Sequence, residues 1–394
     1  MTVLKSKRIE SIDVLRGLAM VIMAIDHVRD FFHSEAFLSD PSNLETTTPE
    51  LFLTRFVTHY CAPVFILLSG TSAFLYGQRR TKKALSKFLF TRGLWLVFVE
   101  IVIMNFLWWF DPTYSFLNLQ VIWAIGLCMM VMSAIIYLPL RWILILGLLL
   151  VFGHNLLDGI TVQGSNFGEI IYGILHQPLF IPYGDGRVVC FLYPILPWIG
   201  VMSLGFCLGQ LYVKSFDAKI RKRILINLGL IAIGIFLLLR TFNIYGEPNH
   251  WSPQDNSIFS ILSFINVTKY PPSLLFLLIT LGPSLLLLAF VEPIKNRLTN
   301  ILLVYGRVPF FYYVLHVLVI HLTAIVGLLI TGESWKRMIL TSDVFMEGKL
   351  AGYGYSLGIT YLVWLFVIII MYPLCRWYMN YKLKHKDKWW LSYL

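Results

Sequence analysis

The sequence predicts an all-α protein, a polytopic membrane helix bundle of about ten transmembrane helices. Three observations predict it. Of 394 residues, 58% are hydrophobic and only 13% are charged, whereas soluble domains carry roughly a quarter charged residues. Apolar stretches long enough to span ~30 Å of hydrocarbon recur along the whole chain. Aromatic residues are abundant, as the interfacial belts of a membrane protein require. The whole of residues 1–394 reads as one integral-membrane domain without internal repeats, which speaks against an inverted-repeat transporter.

The spans are expected near residues 12–33, 52–76, 88–110, 118–138, 142–157, 191–213, 224–240, 272–291, 301–330 and 356–378, the fifth being the shortest. The first follows a basic start at Lys5, Lys7 and Arg8 but lacks a small-residue cleavage site, so it reads as retained rather than as a signal peptide. Loop 34–51 then carries Glu35, Asp40, Glu45 and Glu50 and no Lys or Arg. The next loop is basic, with Arg79, Arg80, Lys82, Lys83 and Lys87. Residues 111–117 hold only Asp111, Arg141 follows the fourth span, and loop 158–190 is mildly acidic. Lys214, Lys219, Arg221, Lys222 and Arg223 follow the sixth span, loop 241–271 has few positive charges, and Lys295 and Arg297 follow the eighth. Loop 331–355 is mixed, and the tail carries Lys382, Lys384, Lys386 and Lys388. Every second loop is basic, which places both termini in the cytoplasm under the positive-inside rule. The net charge of +11 is therefore loop charge, and no nucleic-acid partner is expected; the partner is the lipid bilayer.

The first span holds the chemistry. Among apolar residues it carries Asp13, Arg16, Asp26, His27, Arg29, Asp30 and His33. Ionisable groups are expensive in lipid and face a bundle interior or a water-filled cavity. Arg16 and His27 are eleven residues apart, ~20° past three full turns, so they share one helix face and stand ~16 Å apart along the axis. A guanidinium and an imidazole so placed can grip the two ends of one long anionic ligand. The structural alternative is a set of pegs, since Asp13 with Arg16, Asp26 with Arg29 and Asp30 with His33 are all (i, i+3) pairs.

Orientation turns spacing into depth. His27 falls in the outer half of the first span, His59 ~10–12 Å below the outer end of the second, and His316 in the outer half of the ninth with His321 above it. A lone histidine on an apolar helix is usually a satisfied core residue. Three at one level, beside Asp26 and Asp30, point to general-base chemistry. No HExxH or other metal spacing is present, and the five cysteines form no CxxC, so neither a metal site nor a disulfide framework is expected. Facing histidines could ligate haem, a minor alternative. In the second span Pro63 removes one backbone bond, and Ser69, Gly70, Thr71 and Ser72 allow close approach of a helix or a ligand. Arg79 and Arg80 at its basic mouth serve topology and can also attract phosphate.

The run Asp13-Val-Leu-Arg16-Gly17, ten residues, His27, and a helix holding Phe65-x-x-x-Ser69-Gly70 resembles the transmembrane acyltransferase superfamily, which includes acyltransferase-3. The fuller resemblance is to the heparan-alpha-glucosaminide N-acetyltransferase catalytic-domain family and its bacterial relatives. It rests on DHVRDFF, APVFILLSGTSAFLYG, YPILPWIGVMSLGFCLG, TKYPPSLLFL, GRVPFFYYVLH and YPLCRW. It implies acyl-CoA, acetyl-CoA above all, as a cytoplasmic co-substrate without a metal. It also implies an extracytoplasmic glycan or small-molecule acceptor, in a bacterial inner membrane. Arg16 matches the superfamily arginine and His27 its histidine. The lysosomal member of the family carries asparagine where His27 stands, so the base stays open among His27, His33 and His59.

The expected site is thus His27 with Asp26 or Asp30 as base, and His59, His316 or Ser69 as donors to an oxyanion. Arg16, Arg79 and Arg80 would meet the phosphates of the donor. Two other classes stay open, a transporter or channel with a buried His/Asp proton relay and a structural or sensory protein. Oligomeric state is open too, a homo-oligomer included.

Overall fold

The first span is one helix, α1 (Glu10–Phe32), ~35 Å long at 1.5 Å per residue, and the other spans are arranged on it. The computed structural model describes residues 10–347, 350, 352–385 and 387–392; Lys5, Lys7, Arg8 and Lys386 lie outside them.

The chain continues through α2 (Pro49–Thr58), α3 (Cys61–Gly77), α4 (Lys82–Phe98) and α5 (Asn105–Trp109). Next come β1 (Phe116–Leu119), α6 (Val121–Ile135), α7 (Leu140–Gly153), α8 (Phe167–Leu175), β2 (Leu179–Pro182) and β3 (Val188–Phe191). The second half holds α9 (Leu196–Leu208), α10 (Ala218–Phe242), α11 (Ser257–Ile265), α12 (Leu274–Val291), α13 (Arg297–Arg307), α14 (Pro309–Ile330), α15 (Ser342–Glu347) and α16 (Leu357–Lys384). Among the described residues, seven helical segments are long and apolar enough to cross a membrane, and Val121–Ile135 and Leu196–Tyr212 are shorter apolar helices. With the charged α1 these account for the ten expected segments.

Three spans are broken, each for a local reason. The second divides into α2 and α3 at His59 and Tyr60, just ahead of Pro63, whose missing N–H cannot bond back to residue 59. The third passes through a π-helical turn, Val99–Met104, between α4 and α5; such turns often sit at functional sites. The ninth divides at Val308, where Pro309 opens α14.

Helix α1 packs against α13, α16, α14, α3, α2 and α12, which makes it the hub of the bundle. Its closest crossing is with α13. A Cβ on Gly17 would stand 1.9 Å from Leu302 O, and one on Gly306 would stand 1.8 Å from Asp13 O, so only glycine fits at either place. Around this hub α3 packs on α9, α4 on α6, and α10 on α12. One buried apolar cluster runs from Ile12 to Leu391.

The helical plan carries a small sheet that the sequence reading did not include. β1 pairs in parallel with β3, and β2 pairs antiparallel with β3. Asp111 sets up β1 by accepting from the N–H groups of Thr113 and Ser115. Burial works upward on its carboxyl, but the bonds from Ser115 and Thr113 outweigh it and hold the group below the ordinary value. The sheet closes the end of the bundle toward which α1 points.

Candidate active site

The last turns of α1, the α2–α3 break, α5, the start of α6 and α14 enclose a cavity of about 240 Å³. From α1 it takes Met23, Asp26, His27, Arg29 and Asp30, and His33 stands at its rim. Arg55, Trp108, Tyr193, Lys269, Tyr270 and Tyr313 line the rest.

The centre is a histidine pair. His27 Nδ1 lies 2.8 Å from His316 Nε2, and the two rings stack with centroids 5.0 Å apart. His316 Nδ1 lies 2.9 Å from Tyr312 O. A carbonyl oxygen only accepts, so His316 Nδ1 carries the proton and its Nε2 offers a lone pair. His27 Nδ1 must then donate to that lone pair. The chain of bonds leaves His27 Nε2 unprotonated on the ring edge away from His316, and His27 lines the cavity. His316 is fully buried, so the tautomer chain is closed to solvent from behind.

The carboxylates do not take part in this chain. Consecutive helical residues point ~100° apart, so Asp26 faces α2 while His27 faces α14. Asp26 Oδ1 is 2.8 Å from Arg29 Nη1 and its Oδ2 is 2.5 Å from Arg55 Nη1; Arg29 Nη2 is 2.6 Å from Asp30 Oδ1. The expected carboxylate partner of His27 is thus replaced by His316, while Asp26 ties α1 to α2 through Arg55 and Asp30 pairs with Arg29 within α1.

Not every predicted residue reaches the cavity. His33 lies at its rim and accepts from the N–H of Glu35 at 3.2 Å. His59 is buried, packs on Phe276 with ring centroids 5.3 Å apart, and lines an adjoining cavity. That second cavity, about 300 Å³, shares Arg55, Lys269 and Tyr270 with the first and adds Asn43, Asn249 and Asn266. Ser69 Oγ donates to Phe65 O at 2.7 Å within α3. Arg79 and Arg80 are exposed at the far end of α3, ~25 Å along its axis from the cavity, and the Arg80 guanidinium lies 3.6 Å from the Tyr76 ring centroid. Arg16 donates from Nη1 to Asp13 Oδ1 and Gly306 O, and from Nη2 to Ser72 Oγ. It ties α1, α13 and α3 together below the cavity. His321 is a brace, with ring nitrogens 2.9 Å from Leu107 O and 2.8 Å from Met338 O.

Sequence reasoning missed Trp108, Tyr313, Arg55 and Lys269. The aromatics had no signal beyond abundance. Arg55 lies one helical turn before His59, a spacing that could have marked it.

Among known proteins, the family model described as heparan-alpha-glucosaminide N-acetyltransferase, catalytic, matches residues 8–246. His27 and Trp108 fall inside that stretch, whereas Lys269, Tyr313 and His316 follow it. No curated protein matches the chain.

Proposed function

The chain belongs to the heparan-alpha-glucosaminide N-acetyltransferase catalytic family, and we propose that this membrane acetyltransferase moves the acetyl group of cytoplasmic acetyl-CoA to a hydroxyl or amine of an extracytoplasmic, sugar-containing acceptor. The observation that carries this reading is the His316–His27 bond, which leaves a lone pair on Nε2 of an imidazole that lines the cavity. An acceptor O–H or N–H gives its proton to His27 Nε2 as its heteroatom attacks the thioester carbonyl. His316 Nε2, held by Tyr312 O, accepts from His27 Nδ1 and steadies the imidazolium that forms. The same imidazolium then returns the proton to the departing thiolate. His316 so fills the orienting role that a carboxylate fills in other base-activated acyl transferases.

The two cavities divide the substrates. The first is large enough for an acetyl thioester end and the reacting group of the acceptor. The second offers amide, hydroxyl and ammonium groups suited to a polyhydroxylated acceptor, with His59 and Lys269 among them. The donor phosphates lie toward the basic end, where Arg79 and Arg80 are exposed. Arg16 meets the donor below His27 by exchanging its bond to Ser72 for one to the ligand, and Ser69 lies along the route between them. In this arrangement both termini are cytoplasmic, in a bacterial inner membrane. A proton relay is less well supported, because Asp26 and Asp30 bond to guanidinium groups and not to the histidine pair.

The test uses purified protein in lipid nanodiscs with carbonyl-labelled acetyl-CoA and a panel of amino sugars and neutral sugars. Label should pass to an acceptor with release of one CoA thiol per transfer. Absence of label transfer and of thiol release across the panel would contradict the reading.

A further inference from the structure

Acyl transfer develops negative charge on the thioester oxygen, and donors aimed at that oxygen supply a large share of catalysis. The donors expected from sequence are placed elsewhere. His316 stands behind His27, Ser69 is bonded within its own helix, and His59 opens on the second cavity. Two other donors stand beside the base. Trp108 and Tyr313 are each 3% exposed, and both line the cavity with His27. The His27 ring meets both edge-on, with centroids 4.8 Å from Trp108 and 6.2 Å from Tyr313.

Apart from each other, their polar atoms have no hydrogen-bond partner: Trp108 Nε1 and Tyr313 Oη are both buried and otherwise unsatisfied. The neighbouring Trp109 shows that the local fold can satisfy an indole, since its Nε1 donates to Asn105 Oδ1 at 3.2 Å. An unsatisfied buried donor is destabilising, and packing alone would be served as well by phenylalanine. Trp108 does pack, stacking on Phe31 at 5.4 Å, but that contact makes no use of the indole N–H. The π-helical turn Val99–Met104 just before α5 sets the rotation that brings Trp108 to the cavity.

We infer that Trp108 Nε1 and Tyr313 Oη are the paired donors that hold the oxyanion of the tetrahedral intermediate; this rests on the acyl-transfer reading above. As the acceptor heteroatom bonds to the carbonyl carbon, its proton passes to His27 Nε2. The carbonyl π pair moves to oxygen, where the indole N–H and the phenol O–H receive it. Collapse restores the carbonyl, breaks the C–S bond and leaves a thiolate that takes the proton from His27. The products are acylated acceptor and CoA thiol.

The experiment compares wild type, Tyr313→Phe, Trp108→Phe and His27→Ala in the nanodisc assay, with isotope-edited infrared spectra of bound carbonyl-labelled acetyl-CoA. Each Phe variant should lower kcat by ~10²–10³-fold with little change in KM. In the wild type the thioester carbonyl stretch should lie at lower frequency than in either Phe variant. Tyr313→Phe removes one oxygen and keeps the ring, so it carries the test if Trp108→Phe does not fold. Wild-type kcat and an unshifted carbonyl band in folded Tyr313→Phe, alongside an inactive His27→Ala, would overturn the donor pair and leave the acyl-transfer reading standing. Absence of transfer by the wild type would overturn both.

Discussion

His27 Nδ1 and His316 Nε2, 289 residues apart in sequence, stand 2.8 Å apart across α1 and α14. The bond fixes both tautomers, because His316 Nδ1 is already committed to Tyr312 O. His316→Ala should leave His27 free to rotate. Turnover should fall on the order of 10²-fold, the effect of misplacing a reacting group by about 1 Å. His316→Gln offers an amide oxygen to His27 and should recover part of the loss. Steady-state kinetics on the three forms check this; equal kcat in wild type and His316→Ala would contradict it.

The Asp26 carboxylate is shared by Arg29 and Arg55. Asp26→Ala takes the carboxylate from Arg55 and leaves Arg29 with Asp30 alone, and breaking a buried pair by removing one partner costs about 3–5 kcal/mol. Thermal unfolding in detergent should show a clearly lower Tm, with a smaller drop for Asp26→Asn. An unchanged Tm would show that this network contributes little to the fold.

Gly306 and Gly17 allow backbone contact between α13 and α1. Gly306→Ala must push the helices apart, and overpacking of this kind costs typically 1–3 kcal/mol. Gly234 of α10 has nothing within 4 Å of a built Cβ, so Gly234→Ala should be neutral or stabilising by roughly 0.5–1 kcal/mol through helix propensity. Parallel thermal unfolding of the two variants tests the contrast; equal Tm values would contradict it.

The alternation of basic loops predicts that loop 34–51 and the C-terminal tail face opposite sides of the membrane. Single cysteines in loop 34–51 and after Lys382, on a cysteine-free background, should react with an impermeant thiol reagent from opposite sides of sealed vesicles. Labelling from the same side would contradict the orientation.

Much of this was legible in the sequence because membrane spans are written in apolar length, and because buried charge in α1 has few uses. His27 and His316 could be set at one depth from helix rise alone. Their direct bond could not, since it depends on the rotation of α1 against α14. The same rotation decided the carboxylates, where Asp26 turns to arginines and not to its neighbour His27. Arg16 illustrates the opposite case, because its shared face with His27 is correct in spacing while its guanidinium is held by Asp13, Gly306 O and Ser72. Trp108 and Tyr313 were hidden among many aromatics, and what sets them apart is an unsatisfied polar atom in the wall of the cavity beside His27.

The central claim is that His27 is the base. The most direct measurement is acetyl transfer by purified wild type and His27→Ala, with acetyl-CoA binding measured on both. Transfer should fall ~10²–10⁴-fold in the variant while donor binding is largely kept. Retained transfer by His27→Ala, with loss of transfer in His33→Ala or His59→Ala, would contradict the claim and move the base to one of those residues.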